Sequence, residues 1–351
     1  MNDQKRFENL YAHNRHQLHA VVPLNTPYSV NIEPSSRCNI KCIYCVHSLT
    51  STELKNQGYS DNYLGANMNP ETFQLLLDQL CEFPDKIRSI TFGGVGEPLM
   101  HPKLAEMVRK IKENNITDRI NLITNGLLLS KRRSAELVEA GLSSIKISLQ
   151  GIDAQAYYET CGARIDFDSF LDNLGFLFQN KKQCLIGIKV PDISLYRGAA
   201  AEEYLQRKER FRELFENKCD RLGIEHIVPC FANVDYSRIE GMSGHVSRYD
   251  IPERKVKVCS QPFYRLNIMQ NGSVTLCTML GLHEEWMNIH QTSLVSIWNS
   301  PSRKQKLIKN LRNVYDEELS LCKNCNVKFD FAYEEDMLDP YAEEIIRRLE
   351  G

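Results

Sequence analysis

Short apolar segments alternate with longer amphipathic segments through the first two thirds of the chain. The short segments are rich in β-branched and other apolar residues and predict strands, whereas the longer ones repeat apolar residues at helical spacing. The predicted strands cover residues 28–32, 89–92, 120–123, 144–149, 184–190 and 224–228, and the predicted helices cover residues 69–82, 103–114, 130–140, 167–180 and 199–221. This alternation predicts an α/β fold, a partial (β/α)6 TIM-like barrel.

The pattern changes near residue 235, where the alternation of strands and helices stops. Residues 266–269 and 273–277 predict a hairpin around Asn271-Gly272, a dipeptide preferred in two-residue hairpin turns. Further helices are predicted at residues 294–299, 302–313 and 334–350. We therefore expect an N-terminal extension (1–25), the barrel (26–235), a linker (236–258), a small C-terminal domain (259–330) and a final helix (331–351).

The composition is that of an ordinary globular protein, with 42% hydrophobic and 25% charged residues among 351. A formal net charge of −2 argues against a protein whose main role is to bind nucleic acid. We expect no membrane partner, since no apolar run approaches the roughly 20 residues that span a bilayer and the polar N-terminus lacks a signal-peptide core. The expected compartment is the cytoplasm, where thiols stay reduced, so the twelve cysteines need a role other than disulfides.

Two groups of cysteines have the spacing of metal or cluster ligands. Cys38, Cys42 and Cys45 form a C-x3-C-x2-C run, which can hold three corners of an iron–sulfur cluster and leave one iron open. His47 is the nearest candidate for a fourth ligand, but it follows Cys45 too closely to be favoured. The second group comprises Cys259, Cys277, Cys322 and Cys325, and four thiolates suit either a structural zinc ion or a closed [4Fe–4S] cluster.

Four motifs follow four successive predicted strands: CNIKCIYC, GGVGEP, TNG and SLQG. Together they resemble the radical S-adenosylmethionine superfamily over roughly residues 26 to 230. The resemblance implies that the first three cysteines bind a [4Fe–4S] cluster whose open iron binds S-adenosylmethionine, which is cleaved to a 5′-deoxyadenosyl radical. It also implies cofactor-binding roles for Tyr44 against adenine and for Gly93, Gly94, Glu97, Pro98, Thr124, Asn125 and Ser148 at the strand ends.

The C-terminal region resembles the SPASM/twitch extension of the same superfamily, through FYRLNIMQNGSVTLC, SIWNS and CKNC. This resemblance favours iron over zinc and implies one auxiliary [4Fe–4S] cluster on the second group of cysteines. It also implies an external reductant such as flavodoxin or ferredoxin.

The resemblance defines the type of radical chemistry more closely than it defines the product of the reaction. We expect hydrogen abstraction from a sugar-like or aminocyclitol-like small molecule, followed by dehydrogenation with the auxiliary cluster as electron acceptor. An epimerase is the first alternative, with Cys230 or Cys161 as the thiol that returns a hydrogen atom. A peptide-modifying enzyme is less favoured because about 30 residues ahead of Pro34 are too few for a leader-binding domain. The non-enzyme alternative is a zinc-stabilised binding module.

Overall fold

The computed structural model describes residues 16–56, 65–231, 234–242, 248, 256–277, 287–323, 325–331 and 333–351. These residues contain a sheet of nine strands in the order β6-β5-β4-β3-β2-β1-β7-β8-β9. The strands are β1 (Ser29–Ile32), β2 (Ser89–Phe92), β3 (Ile120–Thr124), β4 (Ser144–Ser148), β5 (Leu185–Pro191), β6 (Arg221–Glu225), β7 (Arg265–Ile268), β8 (Ser273–Thr275) and β9 (Met287–Asn288). The first seven strands run parallel, and the six predicted strands are all present.

Helices connect the parallel strands, and further helices follow the last strand toward the C-terminus. They are α1 (Leu18–Val21), α2 (Ser51–Asn56), α3 (Pro70–Leu80), α4 (Leu104–Glu113), α5 (Lys131–Ala140), α6 (Ala154–Cys161), α7 (Phe167–Gln179), α8 (Asp192–Tyr196), α9 (Ala201–Phe215), α10 (Gln261–Tyr264), α11 (Leu294–Trp298), α12 (Pro301–Leu311) and α13 (Ala342–Glu350). None of the described helices is long and apolar enough to cross a membrane.

Strand alternation separates an apolar outer face of the barrel from a polar inner one. On β1, for example, Val30 and Ile32 are fully buried in the hydrophobic core that the helices cover. Asn31, between them, points the other way and donates from Nδ2 to the carbonyl oxygen of Gly93 (3.4 Å). The lumen of the barrel is therefore lined by polar and charged side chains from every second position, and those side chains build the site.

The predicted C-terminal hairpin is present and continues the sheet of the barrel. β7 pairs parallel with β1, with Ser29 opposite Arg265, and β8 and β9 follow antiparallel. Gly272 adopts a φ of +83° in the turn, a conformation that glycine reaches without strain. The C-terminal cysteines are thus anchored to the strand that leads into the first cysteine loop.

Two helix predictions are corrected at their ends. The helix expected over 199–221 ends at Phe215, because Arg221 already belongs to β6 and pairs with Gly187. The helix expected over 334–350 begins only at Ala342, since Pro340 cannot continue a helix through its interior. The sequence-based prediction missed five of the described helices: α1, α2, α6, α8 and α10.

Candidate functional site

The loop that carries Cys38, Cys42 and Cys45 follows β1 at the carboxyl edge of the sheet. Backbone contacts fix this loop from two sides. Its amide groups at Lys41 and Ile43 donate to the carbonyl oxygens of Cys161 and Thr160, both 3.0 Å away, in the last turn of α6. On the other side, the amide of Glu97 donates to the carbonyl oxygen of Arg37 at 2.7 Å. The loop is therefore held before any cofactor is considered.

The three thiols lie close enough to influence one another's ionisation. Burial raises the pKa of Cys38 to about 11 and that of Cys45 to about 12, and the pKa of Cys42 lies well above the usual value for the same reason. After burial, the neighbouring thiol of Cys45 is the next cause of the shift at Cys42. Thiols of this kind ionise when a metal centre takes the place of their protons.

The number and type of donors indicate what this loop could hold. Within the described ranges, no group of three or more His, Cys, Asp or Glu side chains converges closely enough to hold one metal ion. The donor set, three cysteines, is the one that leaves an open iron.

Glycines in the GGVGEP loop serve two different purposes. A Cβ atom on Gly94 would collide with the carboxylate of Glu33, and one on Gly96 would collide with the backbone of Ser35. Gly94 also has a φ of +141°. By contrast, a Cβ on Gly93 would meet only ordinary contacts, the nearest 3.5 Å away at Ile123. Close packing thus requires Gly94 and Gly96, whereas Gly93 remains free for the predicted role of admitting the cofactor.

Glu97 forms one buried hydrogen-bond network with Thr124 and Asn125, which are also predicted to bind the cofactor. Its carboxylate accepts from the Oγ1 of Thr124 (2.6 Å) and from the amides of Asn125 (2.7 Å) and Leu99 (2.9 Å). Burial raises the pKa of Glu97, and these hydrogen bonds oppose the rise. Pro98 opens the short turn that presents the Leu99 amide.

Asn125 extends this network to the cysteine loop. Its Nδ2 donates to Oδ1 of Asn39 at 2.8 Å, between Cys38 and Cys42 in the chain, and its Oδ1 accepts from the amide of Leu127 at 3.0 Å. The hydrogen-bonding groups of Thr124 and Asn125 are thus engaged within the protein. Their contact with the cofactor stays a prediction. In the structure, their hydrogen bonds connect the end of β3 to the GGVGEP loop and to the cysteine loop.

Tyr44 and Ser148 lie at or beside the end of β4. The Tyr44 hydroxyl donates to Oε1 of Gln150 at 2.6 Å, which fixes the ring beside the end of β4. Ser148 ends β4 and is partly exposed. The cofactor-binding roles of both residues stay predictions.

Glu33 is a site residue that the sequence reasoning missed. It lies one residue after β1, is 3% exposed, and accepts a hydrogen bond through Oε2 from the amide of Val95 at 2.7 Å. Its other oxygen, Oε1, is buried without a partner among the described residues. Burial raises the pKa of this carboxyl group to about 7, against hydrogen bonds from Val95 and Gly96 that lower it. The sequence signal that could have identified Glu33 was its position directly after the first strand, shortly before the cysteine run.

The second group of cysteines also comes together in the structure. Burial raises the pKa of Cys259, and the next cause is the thiol of Cys277, with Cys325 and Cys322 contributing as well. The side chain of Asn310 on α12 brackets Cys259, accepting from its amide at 3.2 Å and donating to its carbonyl oxygen at 2.8 Å. Long-range folding thus unites four thiols spread over more than sixty residues.

Cys230 lies near the first cysteine loop. Burial raises the pKa of Cys45 and of Cys325, and the thiol of Cys230 is a smaller cause of both shifts. Tyr236 holds this segment: its hydroxyl accepts from the amide of Cys230 at 3.2 Å and donates to the carbonyl oxygen of Tyr44 at 3.2 Å. The hydrogen-donor role predicted for Cys230 stays a prediction.

The remaining single cysteines lie in different settings. Cys161 is the last residue of α6, is 1% exposed, and donates from Sγ to the carbonyl oxygen of Tyr157 at 3.0 Å. Its predicted role as a hydrogen donor remains a prediction. Cys81 is exposed at the end of α3, whereas Cys184 and Cys219 are buried.

His47 lies beside the GGVGEP loop. Burial lowers its pKa, and its Nε2 is buried without a hydrogen-bond partner among the described residues.

Family comparisons agree with this geometry. Residues 32–192 match the model of the radical SAM superfamily, and residues 259–326 match an iron–sulfur cluster-binding domain of the SPASM type. The chain therefore contains a radical SAM domain followed by a SPASM-type domain, as the sequence motifs predicted. The radical SAM domain binds a [4Fe–4S] cluster with S-adenosylmethionine, and the SPASM domain binds auxiliary iron–sulfur clusters. The family match confirms the predicted cofactors and favours iron over the zinc alternative for the C-terminal cysteines.

Curated relatives match over part of their length. The tungsten-containing aldehyde ferredoxin oxidoreductase cofactor-modifying protein of Pyrococcus furiosus is 27% identical over 198 residues, 56% of this chain and 51% of the relative. GTP 3′,8-cyclase of Chlorobaculum tepidum is 33% identical over 128 residues, 36% of this chain and 34% of the relative. PqqA peptide cyclase of Rhodopseudomonas palustris is 34% identical over 128 residues, 36% of this chain and 30% of the relative. The chain thus spans about a third to a half of these relatives.

Solved structures confirm the fold. The complex of BtrN with AdoMet and 2-DOIA covers 85% of this chain and 92% of its own, with a TM-score of 0.51 and 19% identity. Native anSMEcpe with bound AdoMet covers 92% and 96%, with a TM-score of 0.55 and 15% identity. Streptococcus suis SuiB bound to S-adenosylmethionine covers 89% and 74%, with a TM-score of 0.51 and 16% identity.

Proposed function

We propose that this radical SAM enzyme dehydrogenates a carbon–hydroxyl group of a sugar-like or aminocyclitol-like small molecule. The observation that carries the proposal is that β7, which follows Cys259, pairs in parallel with β1, which leads into the Cys38 loop, so both groups of thiols are attached to neighbouring strands. An electron acceptor beside the substrate region suits an oxidation. A small molecule bound with AdoMet in the BtrN complex, whose fold this chain shares, supports the substrate class.

The residues that would hold the groups are Cys38, Cys42 and Cys45 for the first cluster, and Cys259, Cys277, Cys322 and Cys325 for one auxiliary cluster. When bound, the first cluster and S-adenosylmethionine supply the radical that takes the hydrogen atom, and the auxiliary cluster supplies the acceptor for the second electron. Tyr44, Gly93 and Ser148 would line the place of the cofactor.

The protein must also remove the hydroxyl proton, and His226 is suited to accept it. Its Nδ1 hydrogen-bonds to Oδ2 of Asp192 at 2.7 Å, an arrangement that turns Nε2 into the proton-accepting nitrogen. Asp192 is 6% exposed and is fixed through Oδ1 by the amides of Ile193 (2.8 Å) and Ile227 (3.3 Å). The substrate then loses one hydrogen atom, one proton and one electron, which leaves a ketone.

The test is product stoichiometry in anaerobically reconstituted enzyme. Dehydrogenation forms one ketone for each S-adenosylmethionine cleaved and takes up no deuterium from solvent at carbon. We expect His226→Gln to lower ketone formation by about 10²-fold or more while cleavage of S-adenosylmethionine persists. Full activity of that variant would remove His226 from the mechanism, and a redox-neutral product would refute dehydrogenation.

Epimerisation is the second candidate, and the location of Cys230 favours it. In that reaction the thiol of Cys230 returns a hydrogen atom to the opposite face of the substrate radical. Solvent deuterium would then appear at one carbon of the product, and Cys230→Ala would abolish its incorporation. Peptide modification is the third, supported by the relationship to the PqqA peptide cyclase.

A further inference from the structure

A single tyrosine hydroxyl joins the segment after β6 to the cysteine loop. The Oη of Tyr236 accepts from the amides of Cys230 (3.2 Å) and Phe231 (3.1 Å), and it donates to the carbonyl oxygen of Tyr44 at 3.2 Å. The thiol of Cys230 lies farther away, at 3.7 Å from the same oxygen. The three shorter contacts use the one hydrogen and both lone pairs that a phenol hydroxyl offers. This oxygen is therefore the joint between two segments that 192 positions separate in the sequence.

The turn that presents Tyr236 is fixed on both sides of the tyrosine. Tyr236 begins a short 3-10 turn, and Oδ1 of Asp235, just before it, accepts from the amide of Ser237 at 3.1 Å. At the other end, the amide of Ile239 donates to the carbonyl oxygen of Tyr236 at 3.1 Å, and the side chain of Ile239 is buried. The direction of the tyrosine is thus set by its own segment.

An apolar cluster covers the place where the two segments meet. Ile193, Ile227 and Ile239 are buried together, and the rings of Tyr44 and Tyr236 pack against them. Apolar contacts of this kind hold surfaces together without a preferred direction, whereas hydrogen bonds fix the angle and the distance. The cluster therefore supplies adhesion, and the hydroxyl of Tyr236 sets the register.

Tyr44 is held at its side chain and at its backbone. Its hydroxyl donates to Oε1 of Gln150 at 2.6 Å, and its carbonyl oxygen accepts from Tyr236. The amide of the same peptide unit, that of Cys45, donates to the carbonyl oxygen of Cys42 at 2.9 Å. Because a peptide unit is planar, bonds on its two sides fix the orientation of the whole unit. The position of Tyr44 thus depends on a hydroxyl supplied by a remote segment.

We propose that Tyr236 is a positioning residue, whose hydroxyl fastens the segment after β6 to the cysteine loop and holds Tyr44 in place to receive S-adenosylmethionine. The inference rests on the proposed function, in which Tyr44 would line the place of the cofactor. A side chain that is fixed before its ligand arrives does not have to be ordered on binding, and this raises the affinity. Tyr236 acts through Tyr44 and does not itself touch the cofactor.

Replacement of Tyr236 by phenylalanine keeps the ring and removes the joint. The probe is S-adenosylmethionine alone, in calorimetric binding to anaerobically reconstituted enzyme. We expect Tyr236→Phe to bind it about tenfold more weakly and to retain the iron content of the wild type. Tyr341→Phe makes the same chemical change where the ring is exposed and stacks on His19, and it should alter neither quantity. Unchanged affinity in Tyr236→Phe would overturn the proposal, as would a loss of iron in proportion to the loss of affinity.

A second pair of variants shows whether Tyr236 acts through Tyr44. In a Tyr44→Ala background the ring to be positioned is gone, so adding Tyr236→Phe should weaken binding of S-adenosylmethionine by about twofold or less. A further loss of about tenfold in that background would show that the two residues act independently, and the assignment would be wrong.

Hydrogen exchange reports on the joint itself, even if Tyr44→Ala fails to fold. In reconstituted full-length enzyme without S-adenosylmethionine, the amides of Cys230 and Phe231 should exchange about tenfold faster in Tyr236→Phe than in the wild type. Equal exchange rates would show that the hydroxyl does not hold this segment. None of these measurements uses a substrate, so an enzyme that shows the expected binding and exchange but forms no ketone would refute the proposed function alone.

Discussion

Replacement of Glu33 by glutamine should change the pH dependence of stability. The carboxyl group is 3% exposed, receives the amide of Val95 on Oε2 and leaves Oε1 buried without a partner among the described residues. Glutamine keeps an acceptor for that amide and resembles the protonated acid in shape and charge. The substitution therefore removes the ionisation while preserving most contacts.

The magnitude follows from the shift of the pKa from 4.5 to about 7, which burial causes. The folded protein holds this proton more tightly than the unfolded chain does, so the stabilising effect is complete below pH 4.5 and is lost as the pH rises to about 7. The shift of 2.5 pKa units corresponds to about 3.4 kcal/mol in total, of which about 2 kcal/mol falls between pH 5.5 and pH 8.

Anaerobic urea unfolding of both proteins across that pH range would measure the effect. We expect the free energy of unfolding of the wild type to fall relative to Glu33→Gln by about 2 kcal/mol as the pH rises from 5.5 to 8. Glu343→Gln, at an exposed position on α13, is the matched control and should show no such trend. If the free energies of unfolding of the wild type and Glu33→Gln change with pH in parallel, burial does not raise the pKa of Glu33 in the folded protein, and the argument is refuted.

Two further substitutions test the loops that surround the site. Gly96→Ala should destabilise the protein by about 2 kcal/mol or more in urea unfolding, because the added Cβ collides with the backbone of Ser35; a loss below about 0.5 kcal/mol would contradict this packing. Cys325→Ser should reduce the iron bound after anaerobic reconstitution by about four per chain, the content of one cubane. Exposed Cys81→Ser is its control, and equal iron in the two variants would exclude Cys325 as a ligand.

The sequence predicted the barrel because its strands and helices carry their own periodicity. All six predicted barrel strands are found; the ends of the first five lie within one residue of the prediction, and β6 begins and ends three residues earlier than predicted. Where the prediction failed, tertiary pairing or a single residue decided the boundary. Arg221 becomes a strand residue because β5 offers Gly187 as its partner, and Pro340 delays the start of α13.

The candidate site was predictable only where its residues are neighbours in the chain. The thiols of Cys38, Cys42 and Cys45 share one loop, so their spacing alone indicates a common cluster. Glu97, Thr124 and Asn125 were each assigned to the cofactor, and nothing in their separate motifs showed that they hydrogen-bond to one another. The burial of Glu33 and of Cys161 likewise depends on what folds over them.

The sequence by itself indicated the candidate thiol ligands, and it determined the order of strands and helices and the alternation that turns every second strand residue inward. Those properties depend on local spacing and on the periodicity of the backbone. Only the tertiary structure decided that β7 lies beside β1, that Asn125 hydrogen-bonds to Asn39 in the cysteine loop, and that Lys189 pairs with Glu225. Charge and proton affinity depend on distance and desolvation, and both are set only when remote segments close around the same interior.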